Sequence, residues 1–172
     1  MDQRFPIGKF ELPKEITPAM LAGGCAEIAA FPVVFRAAAE ALSEAQLETP
    51  YREGGWTARQ VIHHVADSHM NCYARFRLAL TEDVPTIKPY DEAKWAELAD
   101  AKSAPIATSL AMIDAMHDRW SRLLASMTAV DFKRTFRHPE LGERSLEATV
   151  FLYVWHGRHH LAHLGLVRPA RP

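Results

Sequence analysis

The sequence predicts an all-α protein: a four-helix bundle with an extended N-terminal arm and a short extra helix in one connection. Three observations predict this fold class. Apolar residues recur at helical spacing over long segments, cap residues stand at the starts of these segments, and no convincing set of strands is present. The 172 residues suit one domain with one sizeable core, so we expect a single domain over 1–172.

The N-terminal part is predicted to contain an arm and the first helix. Residues 1–16 contain two prolines and are expected to lie over the body as an irregular arm. Thr17 and Pro18 start the first helix, since a capping hydroxyl and a proline at the first helical position favour a helix start. The helical pattern continues to about Leu47, and we expect a kink at about Phe31-Pro32.

The second long helix has the clearest start. Thr57 and Gln60 fit a capping box, in which a hydroxyl at the cap is followed three residues later by glutamine. This helix should end at about Leu80. Residues 83–90 are predicted to form a proline-containing loop, and Asp91 can cap the short extra helix through Leu98.

The third and fourth long helices complete the predicted bundle. The third covers about 105–127, and residues 131–144 form a connection. Ser145 caps the last helix, 146–166, and Glu147 in its first turn is favoured by the helix dipole. Four long helices with short or medium connections indicate an antiparallel-type bundle, which can hold a metal between facing helices.

Charge and cysteine content restrict the partners and the compartment. A net charge of −1, from 20 basic and 21 acidic residues, gives no reason to expect nucleic acid or an anionic membrane as a partner. Cys25 and Cys72 are far apart and form no CxxC motif, which favours reduced thiols in a cytoplasmic protein. We find no signal peptide and no stretch that approaches membrane-spanning length. The expected partner is a small-molecule substrate.

Histidine is the one residue type in compositional excess. Four of the nine histidines lie between 156 and 163 on the last helix. Residues four apart share a helix face, which suits two imidazoles that bind one metal, and both His156/His160 and His159/His163 have this spacing. The helical wheel favours His156 and His160 as ligands, with His163 as a candidate to orient them. The alternative is that some of these histidines are ordinary core or surface residues.

A third ligand is expected from the second helix. His64 is centred in a polar stripe that either faces solvent or lines a wet pocket, and the histidine favours the pocket. His63 projects about 100° away from it and is predicted to be structural or on the rim. Four neighbouring polar residues are candidates to orient the ligands or a bound water: Gln60, Asp67, Ser68 and Asn71.

Three histidines with open coordination positions are typical of a catalytic metal site. Such a site binds water, lowers its pKa and polarises a carbonyl. Gly157 follows the first histidine of the pair, so the HExxH motif of zincin proteases is absent and no general base is identified. Five residues of two loops could form a lid or ordinary solvated connections: Lys88, Tyr90, Trp95, His138 and Glu140.

Several segments together resemble the YfiT branch of the DinB-like superfamily. They are YREGGWTARQVIHHVADSHMNCYARFRLALTED, PTIKPYDEAKW, SLAMIDAMHDRW, DFKRTFRHPELGE and YVWHGRHHLAHL, and the likeness extends from about Phe5 to Leu164. The resemblance implies an up-down-down-up bundle, usually dimeric, with one nickel or zinc ion per subunit held by three histidines. His64 matches the first ligand, eight residues after Trp56. His156 and His160 match the HxxxH pair.

The resemblance implies a metal-dependent hydrolase of an unknown small substrate. A metal-dependent thiol S-transferase that uses a thiol such as bacillithiol is the alternative, with a pocket rim drawn from Arg75, Lys88, Tyr90 and Arg158. A third possibility is a non-catalytic, dimeric stress-response module with a structural metal. Trp120, Phe151 and Trp155 could contribute to a dimer interface, although core packing explains them equally well.

Overall fold

Four long helices form the body of the protein in a computed structural model that describes residues 2–167. Four short helices and one β-hairpin lie in the connections. In chain order the elements are α1 (Pro18–Glu40), α2 (Glu44–Leu47), α3 (Ala58–Thr81), α4 (Glu92–Ala96), α5 (Ala99–Ser103), α6 (Ile106–Ser126), α7 (Ala129–Lys133), β1 (Thr135–His138), β2 (Gly142–Ser145) and α8 (Leu146–Leu166). The predicted four-helix bundle with an arm and a short extra helix is confirmed.

The helix order in the bundle differs from that of a simple up-and-down bundle. Helix α1 packs against α6 and α8, and α3 packs against the same two helices. Therefore α1 lies diagonally across from α3, and α6 lies diagonally across from α8. This order brings one face of α3 against α8, which are the two helices that carry the predicted metal ligands.

The helix starts agree with the predicted caps. The side chains of Thr17 and Ser145 accept hydrogen bonds from the backbone N–H groups of Met20 and Ala148. At the start of α3, Thr57 accepts from the Gln60 N–H, and Gln60 accepts in return from the Thr57 N–H at 2.9 Å. Each cap satisfies N–H groups that have no partner inside the helix.

The first helix ends earlier than predicted. Helix α1 continues through Pro32 but ends at Glu40 instead of about Leu47. The reason is a second capping box, in which Ser43 and Gln46 exchange hydrogen bonds and start α2 as a separate helix. The predicted short helix from Asp91 is present as α4, and α5 follows it directly.

The connection between α7 and α8 contains a hairpin that the sequence analysis missed. Strands β1 and β2 pair antiparallel, with Thr135 opposite Ser145 and His138 opposite Gly142. Gly142 has a φ of 75°, which glycine adopts without steric cost, so it permits the turn into β2. Strands of four residues are too short to show a clear alternating pattern, which is why the expectation of no strands was wrong.

Two tryptophans that the sequence left open between core and interface have different positions in the structure. Trp120 is fully buried beside Phe76, with ring centroids 5.4 Å apart, so it packs in the core and cannot contribute to an interface. Trp155 instead holds the arm, because its Nε1 donates to the Gly8 carbonyl at 3.2 Å and its ring contacts Phe10.

Helix α1 corrects the expectation that no stretch approaches membrane-spanning length. By length and composition alone, Pro18–Glu40 is apolar enough to cross a membrane. In the described part of the chain this helix packs against α6 and α8, and it buries Ile28, Phe35 and Ala39 in the core. Its apolar composition is therefore accounted for in part by its place in the bundle.

Candidate metal centre

The three predicted ligands meet between α3 and α8. The potential ligand nitrogens of His64, His156 and His160 all lie within 4.8 Å of one another. Two nitrogens that bind one ion at about 2.1 Å are at most about 4.2 Å apart, so small ring rotations would complete a site. Trp56 packs beside His64, with ring centroids 4.8 Å apart, and restricts that ring.

A cavity of about 660 Å³ opens next to these histidines. Its volume suits a small organic molecule. Charged and aromatic side chains make up much of its wall, together with the N-terminal arm. The wall includes Arg4, Phe10, Trp56, His64, Ser68, Arg75, Tyr90, Glu92, His138, Glu140, Arg144, Tyr153, His156, His159, His160 and His163.

Burial keeps the three histidines neutral. Burial, together with a smaller effect of neighbouring histidines, lowers the pKa of His64 to about 4 and the pKa values of His156 and His160 well below 6.5. Neutral imidazole is the form that binds a metal ion, so no proton has to leave before binding at neutral pH. The donor set therefore fits a divalent transition metal.

A second histidine cluster offers an alternative set of ligands. His159, His160 and His163 also bring ligand nitrogens within 4.8 Å of one another, and the two clusters share His160. In the second cluster, however, both nitrogens of His163 have partners. Nε2 lies 3.2 Å from the Gln3 carbonyl oxygen, and Nδ1 lies 3.2 Å from Nδ1 of His160. This geometry favours His163 as a residue that orients His160.

His69 of α3, which has no role in the metal site predicted from the sequence, lies beside the candidate ligands. Nε2 of His69 is 3.1 Å from Nδ1 of His156, and Nδ1 of His69 is 2.8 Å from Nε2 of His117. Both His69 and His117 are only 1% exposed. The one available signal was that His117 occupies an apolar position of α6, where a buried imidazole needs a polar partner.

Of the four polar residues of α3 that were predicted to orient the ligands or a bound water, only Ser68 lies beside a candidate ligand. Ser68 Oγ is 3.3 Å from His156 Nε2. Gln60 does not reach the ligands, because its side chain completes the α3 cap and donates to the Ala96 carbonyl at 2.7 Å. Asn71 donates to the Asp67 carbonyl, and neither residue belongs to the cavity wall.

Comparisons with known proteins decide the family. Residues 28–164 match the family model described as the DinB superfamily. The chain belongs to the DinB superfamily. A Bacillus cereus relative named "Putative metal-dependent hydrolase" is 53% identical, over 97% of this chain and 96% of its own length. A Bacillus anthracis relative with the same name is 52% identical over the same shares.

Solved structures agree with this membership of the DinB superfamily. One is described as "YfiT from Bacillus subtilis is a probable metal-dependent hydrolase with an unusual four-helix bundle topology". It is 43% identical, has a TM-score of 0.94, and matches 97% of this chain and 96% of its own. TT2238, a four-helix bundle protein, matches 84% of this chain at 21% identity and a TM-score of 0.61, which supports the fold alone. The resemblance predicted from the sequence is confirmed.

The two loops that could form a lid or ordinary solvated connections contribute unequally to the cavity of this DinB-superfamily protein. Tyr90, His138 and Glu140 line it. Lys88 is exposed and does not line the cavity. The Trp95 ring packs against the Tyr90 ring, with centroids 4.5 Å apart.

The remaining candidates from the sequence lie on different sides of the cavity wall. Arg75 belongs to the wall, whereas Arg158 forms an ion pair with Glu27 away from it. His63 also points away, since its ring nitrogens lie 2.7 Å from Ser109 Oγ and 3.1 Å from the Ala104 carbonyl.

Gly157 has a packing role between the two candidate ligands of α8. A Cβ at this position would lie 2.8 Å from the Phe31 ring, which stacks on His69 with 5.0 Å between centroids. We expect overpacking in Gly157→Ala to lower the free energy of unfolding by about 1–3 kcal/mol. The higher helix propensity of alanine offsets about 1 kcal/mol of this loss.

Gly165→Ala on the same helix is the matched control, because a Cβ there meets nothing within 4 Å. Denaturant unfolding should rank Gly157→Ala below Gly165→Ala. Equal stabilities would show that Phe31 does not need the space at Gly157.

Proposed function

We propose that this protein is a metal-dependent hydrolase of a small substrate, with one zinc or nickel ion per chain held by His64, His156 and His160. The observation that carries the proposal is the convergence of three neutral imidazoles on the wall of a cavity of about 660 Å³. The hydrolase names of the Bacillus relatives point to the same activity. Three protein ligands are typical of a catalytic site rather than a closed structural one.

The residues around the ligands suit a polar substrate. A divalent metal supplies a Lewis acid, which lowers the pKa of water and polarises a carbonyl. Burial raises the pKa of Tyr90 to about 12, so its hydroxyl stays protonated and can donate to a substrate oxygen. Ser68 lies next to His156 and offers a second hydroxyl on the same wall.

A thiol S-transferase is the second candidate, and two arginines of the cavity wall favour it. Arg75 and Arg144 line the cavity, and neither forms an ion pair within residues 2–167. Unpaired guanidinium groups suit carboxylates, so an anionic thiol such as bacillithiol would fit this wall. The metal would then lower the pKa of the thiol instead of that of water.

One pair of assays separates the candidates. Zinc- and nickel-loaded protein is tested on a panel of esters, amides and lactones, and separately with bacillithiol and monochlorobimane. We expect hydrolysis that disappears in His160→Ala and in chelator. Metal-dependent conjugation without hydrolysis would replace the proposal with the transferase. Neither activity, together with a large loss of stability in chelator, would instead favour a non-catalytic metal-binding module.

We further propose that the protein is a cytoplasmic homodimer. Val33 and Val34 on α1 are 75% and 51% exposed, which provides apolar surface for a second copy. Cys25 and Cys72 are both free thiols, as is typical of a reducing compartment. Light scattering should give twice the monomer mass, and Val33→Lys should reduce it to that of the monomer. Monomeric wild-type protein would contradict the dimer.

A further inference from the structure

A chain of hydrogen bonds runs through buried histidines to the candidate metal ligands. It begins at a backbone carbonyl that a proline leaves without a partner in its own helix. In an α-helix the carbonyl of residue 28 accepts from the N–H of residue 32, but Pro32 has no N–H. The Ile28 carbonyl oxygen instead lies 2.8 Å from Nδ1 of His117 on α6. A carbonyl oxygen only accepts, so Nδ1 of His117 carries the proton.

The tautomers of the next two rings follow from that proton. Nε2 of neutral His117 is an acceptor, so Nδ1–H of His69 donates to it across 2.8 Å. Nε2 of His69 is then an acceptor in turn, and Nδ1–H of His156 donates to it across 3.1 Å. This assignment gives each of the three neutral rings its one proton. The unprotonated nitrogen at the end of the chain is therefore Nε2 of His156, which is one of the three candidate ligands.

A shorter chain acts on the second ligand of α8. The Gln3 carbonyl accepts from Nε2–H of His163 at 3.2 Å, which makes Nδ1 of His163 an acceptor. Nδ1–H of His160 donates to it at 3.2 Å, so the lone pair of His160 is also on Nε2. This chain ends in the N-terminal arm, which gives the arm a function at the site.

We propose that the carbonyls of Ile28 and Gln3 select the metal-binding tautomer of the two α8 ligands. Ile28 acts through the positioning residues His117 and His69, and Gln3 acts through His163. The proposal rests on the metal centre proposed above. Each ligand then presents an unprotonated Nε2, with the Ser68 hydroxyl 3.3 Å from that of His156, and each ring is held in place by its Nδ1–H.

Packing alone does not explain the hydrogen-bond chain from Ile28 to His156. His69 and His117 are each 1% exposed, and buried imidazoles destabilise a core unless both nitrogens have partners. Phe31 contacts both rings, with centroids 5.0 and 5.4 Å away, and excludes water from the chain. Apolar side chains would fill the same space without these requirements.

The direct test is two-bond ¹H–¹⁵N correlation NMR of the histidine rings in metal-free wild-type protein. We expect His69, His117, His156 and His160 to carry the proton on Nδ1, and His163 to carry it on Nε2. A proton on Nε2 of His156 or His160 would overturn the proposal. Because no metal is added, this result is independent of whether the protein binds zinc or nickel.

Variants of His117 test the effect on metal binding. His117→Gln keeps an acceptor for His69 and should retain zinc affinity within a few-fold. His117→Leu removes the acceptor and should weaken zinc binding about 10- to 100-fold, with a mixture of tautomers at His156. If packing alone mattered, the His117→Leu variant would bind zinc at least as tightly as the His117→Gln variant, and that result would overturn the proposal.

His63→Leu is the matched control, because His63 is also a buried, hydrogen-bonded histidine but lies outside both chains. It should leave zinc affinity and the His156 tautomer unchanged. An equal loss of zinc affinity in His63→Leu and His117→Leu would indicate general destabilisation and would contradict the proposal. If wild-type protein bound no metal while the NMR tautomers were as expected, the proposed function would fail and the tautomer assignment would stand.

Discussion

Replacing His64, His156 or His160 by alanine is expected to lower the affinity for zinc or nickel by more than about 100-fold, since losing only a ligand's hydrogen-bond partner costs 10- to 100-fold. Each alanine removes one of three nitrogens that lie within 4.8 Å of one another. Competition titration against a chelator measures the affinity, and elemental analysis after dialysis measures the occupancy. Wild-type protein should retain one ion per chain.

Two further alanine variants show which histidines bind the ion. His63→Ala should retain the ion, because its ring is bonded to Ser109 and Ala104 away from the cavity. His159→Ala distinguishes the two clusters, since His159 belongs only to the competing one. If His159→Ala lost the ion and His156→Ala retained it, the ligand assignment would be wrong.

Metal-free protein is expected to lose most of its stability between pH 6.5 and pH 4. Burial lowers the pKa of His117 from 6.5 to about 4, so in this window the unfolded chain binds a proton that the folded chain excludes. The stabilising contribution is fully present above pH 6.5 and is lost as the pH falls to about 4. For His117 alone the loss is about 3 kcal/mol, and other buried histidines add to it.

One group works in the opposite direction. Burial raises the pKa of Asp67 to about 6, so its contribution is present at low pH and is lost as the pH rises through 6. A single carboxyl cannot offset several buried histidines, so the net effect of acid remains destabilising. Urea unfolding in chelator from pH 7.5 to pH 4.5 measures the slope.

His117→Gln is the control for the acid effect, because glutamine does not titrate and should make the pH dependence shallower. An unfolding free energy that stayed constant over this range in wild-type protein would contradict the burial of neutral histidines.

The local features of this fold could be predicted from the sequence. Helix starts at Thr17, Thr57 and Ser145 depend on side chains within three residues of the cap, so their patterns are visible in the chain. The spacing of His156 and His160 is equally local, since four residues along a helix place two side chains on one face. His64 needed its polar stripe and the family resemblance as well.

Features that depend on contacts between distant helices could not be predicted. The chain from Ile28 through His117 and His69 to His156 joins four helices. Nothing in the neighbouring residues of any one helix indicates the others.

The predicted proline effect was similarly incomplete. A kink was predicted at about Phe31-Pro32, and helix α1 continues as one helix through Pro32. The more important consequence is the Ile28 carbonyl that the proline leaves for His117. Only the packing of α1 against α6 reveals this contact.

The most direct test of the central claim is anomalous X-ray diffraction from crystals of the zinc- or nickel-loaded protein. We predict one peak per chain, between α3 and α8, with the ion at about 2.0–2.2 Å from Nε2 of His156, Nε2 of His160 and one ring nitrogen of His64. An ion bound instead by His159, His160 and His163, or no ordered ion under saturating metal, would contradict the account.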